Sequence, residues 1–165
     1  MEADSAIRYH IWNSMLDADL NHRYFGRLAS RYKASDRWAK VFVAITSSTA
    51  VSGWAVWGTP GLDWIWKVAS AMATIVAIAM PVFDPAASMK IASLLTGRWF
   101  SILSDYELLW ARVDRMSESE ADQACQVIAE AEKPLAEQET SLAKLPRLIR
   151  HCEAEVRRSR GLLST

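Results

Sequence analysis

Residues 41–62 read VFVAITSSTAVSGWAVWGTPGL, and none of these side chains carries a charge. The first apolar run extends from Trp38 to Trp57, and a second run extends from about Leu62 to Phe83. At ~1.5 Å per residue, about twenty helical residues reach ~30 Å, which matches the hydrocarbon core of a bilayer. Because the connection between the runs is so short, both helices must be antiparallel. The sequence therefore predicts a two-helix transmembrane hairpin over residues 37–84.

Charged and aromatic residues support the same prediction. Charged side chains bracket the two runs: Arg37, Lys40, Asp63, Lys67 and Asp84. Tryptophans, which collect at the level of lipid headgroups, stand at Trp38 and around the tip of the hairpin. Basic residues are frequent before and after the hairpin, whereas the tip offers only Lys67, so both termini are expected in the cytoplasm. The alternative is a soluble helical core, because the mean hydropathy of the whole chain is near zero.

The segment 1–36 is predicted to form an amphipathic cytosolic helix. Apolar residues recur at helical spacing from Ile7 to Tyr32, and Arg23, Arg27 and Arg31 follow one another four residues apart on another face. Two interpretations remain open. The helix either lies in the membrane plane as a sensor surface, or it packs on the other cytosolic helices.

The segment 85–165 is predicted to be cytosolic and helical. Asp84 and Pro85 are typical of a helix start, and Ser117 with Glu120 forms a capping-box pattern before a further helix. Two apolar seams step by threes and fours through this region and make an oligomerisation surface a candidate: Leu95, Trp99, Ile102, Tyr106, Leu109, Ile128, Leu135 and Leu142. A helical hairpin within one subunit or a coiled coil between subunits would bury these seams equally well.

The sequence contains no recognisable catalytic arrangement of side chains. The three histidines are scattered without the spacing of metal ligands, and Cys125 and Cys152 are expected to be reduced thiols. No glycine-rich phosphate loop occurs, and no basic stripe interleaved with aromatic residues indicates nucleic-acid binding. The sequence therefore predicts no enzyme, no catalytic residues, no metal, no cofactor and no direct contact with nucleic acid.

Small and hydroxyl-bearing residues form ridges in both apolar runs. They are candidates for helix packing or for the lining of a pore: Ala44, Ser47, Ser48, Ser52, Lys67, Ala69, Ala73 and Ala77. In lipid, small residues allow close helix approach, and hydroxyls bond between helices. Two spans bury little surface by themselves, so we expect a homo-oligomer embedded in a lipid bilayer. Either the ridges only pack the hairpin, or the hydroxyls of several subunits line a water-filled path.

The chain resembles the SLATT family of bacterial two-transmembrane proteins. The resemblance rests on the hairpin and on three helical segments: His22-Arg23-Tyr24-Phe25-Gly26-Arg27-Leu28, residues 99–110 (WFSILSDYELLW) and residues 145–153 (LPRLIRHCE). The resemblance covers nearly the whole chain. It is a resemblance of architecture, and it transfers no catalytic residues. It implies an all-α membrane protein with an amphipathic N-terminal helix, a transmembrane hairpin and a C-terminal cytosolic helical hairpin or coiled coil.

The resemblance also implies a function and a location. It implies a pore-forming effector of anti-phage defence in the bacterial inner membrane, a multi-pass protein with both termini cytoplasmic. The resemblance implies that such an effector oligomerises and permeabilises or depolarises the membrane. Its trigger would be a partner (a separately encoded sensor, nucleotide-synthesising enzyme or reverse transcriptase) or a nucleotide-derived signal bound by the cytosolic helices. The alternative is a membrane anchor or scaffold whose cytosolic helices recruit a soluble partner.

Overall fold

The computed structural model describes residues 2–52, 68, 71–72, 74–76, 78 and 84–162. Helix α1 spans Glu2–Ser52 and α2 spans Pro85–Arg112. A 3₁₀ turn at Val113–Arg115 leads to α3 (Glu118–Thr140) and α4 (Pro146–Ser159). The isolated described positions between 68 and 78 are also helical, and no strand occurs among the described residues. The predicted all-α fold class is confirmed to that extent.

Local sequence signals set several helix ends. Asp84 caps α2, because its Oδ1 accepts a hydrogen bond from the backbone N of Ala87 at 3.0 Å. The capping box before α3 is present: Ser117 Oγ accepts from the backbone N of Glu120, whose Oε2 lies 2.8 Å from the backbone N of Ser117. Pro146 occupies the first turn of α4, where its missing N–H costs nothing.

The chain divides into two compact units, Met1–Ala29 with Lys90–Thr165 and Ser30–Met89. The first, called the bundle unit below, contains the beginning of α1, most of α2, and α3 and α4. Its core consists largely of apolar residues from these helices, together with Leu142 from the connection between α3 and α4: Ile11, Met15, Ala18, Phe25, Leu28, Ala92, Leu95, Trp99, Ile102, Leu103, Tyr106, Leu109, Ala121, Cys125, Leu135, Leu148, Cys152 and Val156. The apolar face of the N-terminal helix thus packs on other helices of the chain.

The unit Ser30–Met89 contains the region of the predicted hairpin. Helix α1 continues without interruption through residue 36, where the predicted N-terminal segment ended. Several apolar side chains of this unit are exposed: Trp38, Val41, Ile45, Val68, Met72, Ile75 and Ile78. Asp36 and Lys40 form an ion pair of 2.7 Å one helical turn apart.

The predicted membrane location needs a correction. Within the described residues, no helix contains a stretch long and apolar enough to cross a membrane. The prediction of a multi-pass protein of the bacterial inner membrane with cytoplasmic termini is therefore wrong by this finding. The second predicted span, 62–83, lies largely outside the described residues.

Candidate interaction surface

The residues predicted to pack the hairpin or to line a pore are only partly described. Lys67, Ala69, Ala73 and Ala77 lie outside the described residues. Ala44 is exposed on α1, and Ser47, Ser48 and Ser52 belong to the same helix. The pairing of the two ridges stays a prediction.

The residues predicted to form an oligomer interface lie in the interior of the chain itself. Ile128 is half-buried, and the other seven are buried: Leu95, Trp99, Ile102, Tyr106, Leu109, Leu135 and Leu142. The seams of α2 and α3 are therefore covered within one subunit. A role for the same residues between subunits stays a prediction.

A buried carboxylate ties three helices of the bundle unit together. Asp19 of α1 is only 2% exposed. Its Oδ1 accepts a hydrogen bond of 2.6 Å from Arg23 Nε, and its Oδ2 accepts one of 3.3 Å from Arg160 Nε. Arg160 also binds Glu107 of α2 at 2.7 Å, and Arg23 donates to Ser159 Oγ at 3.0 Å. The charge of Asp19 is thus compensated, and α1 is fastened to both α2 and the end of α4.

Two glutamates of α3 reach into the interior and bind aromatic side chains of α2. The hydroxyl of Tyr106 donates to Glu132 Oε1 at 2.9 Å, and the indole N–H of Trp99 donates to Glu139 Oε1 at 2.9 Å. Burial raises the pKa of Glu132, and the negative charge of Asp17 raises it further, whereas the hydrogen bond from Tyr106 lowers it. Burial and the bond to Glu132 also raise the pKa of Tyr106. These half-buried carboxylates thus fasten α3 to α2.

Tyr24 fastens the connection between α3 and α4 to α1. Its hydroxyl donates to the carbonyl oxygen of Ala143 and accepts from the backbone N of Leu145, both at 3.2 Å. Beside it lies a cleft of about 160 Å³, lined partly by Phe25, Leu142 and Ile149. Small-molecule sites usually occupy ~300 Å³ or more. The cleft is therefore small for a substrate.

Candidate ligands for metals and candidate nucleophiles are dispersed. Among the described residues, no three histidine, cysteine, aspartate or glutamate side chains approach closely enough to hold a metal ion. Cys125 and Cys152 are both buried free thiols. Burial raises the pKa of Cys125, and nearby Asp122 raises it further, which disfavours the reactive thiolate. His22 Nδ1 lies 3.1 Å from the carbonyl oxygen of Thr96 and so belongs to the contact between α1 and α2.

The outer side of α4 carries an unusual concentration of positive charge. Leu148, Cys152 and Val156 bury one side of this helix. At 100° per residue, the opposite arc of about 120° contains six exposed residues, which we call the arginine face: Arg147, Arg150, His151, Ala154, Arg157 and Arg158. It contains no acidic residue.

The four arginines of the arginine face have no ion-pair partner among the described residues. None of its four arginines forms an ion pair or a side-chain hydrogen bond with another described residue. Helix α4 contains two acidic residues: Glu155 is paired with Arg27 and lies 3.5 Å from His151 Nε2, and Glu153, one turn before Arg157, forms no ion pair with the arginines of the face. Arginine presents a planar fork of N–H donors that fits carboxylate and phosphate groups. The surface is thus suited to an anionic partner.

The sequence contained a signal for this surface that the prediction did not use. The apolar positions Leu148, Cys152 and Val156 define the inner side of α4, and the arginines fall opposite them.

No protein-family model matches the chain, and neither a curated protein nor a solved structure matches it. The resemblance to the SLATT family therefore stays a prediction, and function must be argued from this surface.

Proposed function

We propose that this protein is a non-enzymatic helical adaptor that recruits a partner protein through the arginine face of α4. The observation that carries the proposal is the presence of four exposed arginines on one helix face, none of which is ion-paired with another residue in the described part of the chain. Holding four like charges together is unfavourable unless an anionic group neutralises them. The polar groups of the bundle interior are used to fasten helices, which leaves this face as the chemically distinctive surface.

The charge of the whole chain favours an acidic protein segment over a nucleic acid. The chain carries 19 basic and 19 acidic residues, so it has no net charge to attract a polyanion over long distances. Proteins that bind duplex DNA strongly often neutralise some 6–10 phosphates, more than the arginines of this face supply. The only aromatic ring on the face is the imidazole of His151, so it offers no row of aromatic side chains on which successive bases of a single strand would stack. A few suitably spaced carboxylates on a protein helix match its size and charge.

The same surface gives little support to attachment by insertion into lipid. The apolar side of α4 is buried in the bundle unit, so the helix offers charge but no apolar wedge. The pore-forming defence function implied by the SLATT resemblance requires a membrane-crossing hairpin. It stays a prediction and is not part of this proposal.

The proposal is tested by titrating defined anionic probes into the full-length chain. A fluorescent helical peptide with glutamates every third and fourth position is the main probe, and its anisotropy reports binding. We expect saturable binding that weakens with added salt and falls by about tenfold or more in Arg150→Glu/Arg157→Glu, because two attractive contacts become repulsive. Arg115→Glu, at an exposed arginine outside α4, is the matched control and should bind as the wild type does.

Two results would contradict the proposal. In the first, the control variant loses as much affinity as the α4 variant, which would show non-specific charge attraction. In the second, duplex DNA or vesicles containing anionic lipid bind the arginine face far more tightly than the peptide does. The partner would then be a nucleic acid or a lipid surface.

A further inference from the structure

Between Lys90 and Arg112, the outer face of α2 presents small and apolar residues in place of the charges that a solvent-facing helix surface ordinarily carries. The inner face carries the buried seam, and the opposite face presents six residues spaced by threes and fours: Leu94, Gly97, Ser101, Ser104, Leu108 and Ala111. Leu94 is 50% exposed and Leu108 is 52% exposed. A methyl group added at Gly97 would meet no atom within 4 Å. The described residues therefore leave this outer seam largely uncovered, with Ser104 half-buried.

The outer seam is complementary to itself when a second α2 is laid against it in the antiparallel direction. In that register Leu108 of one copy lies over Gly97 of the other, and Leu94 lies over Ala111. Each large side chain thus meets a position with little or no side chain, which is how helix surfaces interdigitate. Ser101 lies near Ser104 of the second copy. The two-fold rotation makes every one of these contacts occur twice.

Charge supports the same pairing. Arg98 and Asp105 stand on one edge of the outer seam, and both are exposed. Neither forms an ion pair with another residue in the described part of the chain. When two α2 helices pack antiparallel, this edge of one helix lies beside the same edge of the other helix. Arg98 of one chain therefore comes next to Asp105 of the second copy. A dimer would contain two such pairs.

We infer that the outer seam of α2 binds a second copy of this chain to form a two-fold symmetric, antiparallel dimer. The contacting residues are distinct from the buried residues on the inner face of α2. The inference is independent of the arginine face of α4, because it rests on another helix and on another kind of partner. The occupant is the chain itself because a single face supplies both members of each complementary pair.

Sedimentation velocity of the purified full-length chain over a series of concentrations tests this inference by charge exchange. The wild type should be a concentration-dependent dimer. Arg98→Asp or Asp105→Arg alone should weaken dimerisation by roughly tenfold or more, because both symmetry-related pairs become repulsive. The double variant Arg98→Asp/Asp105→Arg should recover affinity to within about threefold of the wild type, since the pairs are restored with exchanged sign. Asp122→Arg, a charge reversal at an exposed position of α3, should leave dimerisation unchanged.

A second variant tests the packing without altering charge. Gly97→Leu fills the position that receives Leu108 of the other copy and should weaken dimerisation, whereas the single chain has open space there. Ala131→Leu adds the same kind of apolar surface at an exposed position of α3 and should not. Circular dichroism verifies that each variant is folded. A wild type that is monomeric at every concentration, folded single variants that dimerise normally, or a folded double variant that fails to recover would overturn the inference.

Discussion

Removing the charge of Asp19 should destabilise the bundle unit more than any comparable change at its surface. In Asp19→Asn the side chain keeps its shape but loses its negative charge. Three hydrogen bonds to this carboxylate are affected, two from Arg23 at 2.6 and 3.2 Å and one from Arg160 at 3.3 Å. The two guanidinium groups then lose their counter-ion inside a site where Asp19 is 2% exposed.

The magnitude follows from the burial of the partners. A hydrogen bond to a charged group contributes ~1.5–3 kcal/mol, and breaking a fully buried ion pair costs ~3–5 kcal/mol. The side chains of Arg23 and Arg160 retain 32% and 23% exposure, so water can hydrate them partly. We therefore expect the free energy of unfolding to fall by about 3 kcal/mol, near the lower end of the range for a buried pair.

Urea denaturation followed by far-ultraviolet circular dichroism measures this change. With a slope of ~2 kcal/mol per molar urea, the midpoint should fall by about 1.5 M. Asp114→Asn is the matched control, because Asp114 is 69% exposed and pairs with Arg8 at the surface, where an ion pair contributes ~0–1 kcal/mol. Midpoints that fall equally in both variants would refute the stabilising role of the buried carboxylate.

Three further changes have expected outcomes measurable by the same denaturation. Ser117→Ala should lower the free energy of unfolding by ~1 kcal/mol through loss of the cap of α3, whereas Ser119→Ala, two residues later, should have little effect; equal losses would contradict the capping role. Gly26→Ala should be neutral or stabilising by up to ~1 kcal/mol, because the new Cβ would lie 3.5 Å from Thr96 Cγ2, an ordinary contact; a clear loss would contradict that spacing. The pKa of Glu132 is raised in the folded state above its ordinary value of about 4.5. Between these two values the folded state binds more protons than the unfolded state, so this residue contributes less stability as pH rises through that window. Glu132→Gln should therefore become more stable relative to the wild type as pH rises through that window, and a constant difference across pH would show that Glu132 does not titrate in this way.

The sequence predicted local and periodic features of the fold well. The apolar spacing of α2 identified Trp99 and Tyr106 as members of a buried seam, and the capping signals at Asp84 and Ser117 are present as expected. These features depend on residues within one or two helical turns, so they can be read directly from spacing. The heptad pattern could not indicate whether its partner belongs to the same chain or to another copy, because both arrangements bury the same residues.

Long-range polar contacts could not be predicted in this way. Asp19 and Arg160 are separated by 141 positions along the chain, and no local pattern relates them. Glu132 and Glu139 belong to a strongly acidic helix, where carboxylates ordinarily face water, yet their partners are indole and phenol groups of the interior. The predicted membrane location failed for a different reason. It rested on the length and hydropathy of runs along the sequence, and no helix in the described part of the chain is long and apolar enough to cross a membrane.

The proposed recruitment of a partner is tested most directly by site-specific photo-crosslinking in cells. Ala154 lies in the middle of the arginine face and is exposed, so a benzophenone amino acid placed there should reach a bound partner. We predict crosslinks to a protein segment rich in aspartate and glutamate, which disappear when Arg150→Glu/Arg157→Glu is introduced into the same chain. The same photo-crosslinking residue at Gln123 of α3 should not capture that segment. Crosslinks from Ala154 that persist after the charge reversal, or that join nucleic acid or lipid in place of an acidic protein segment, would contradict the account.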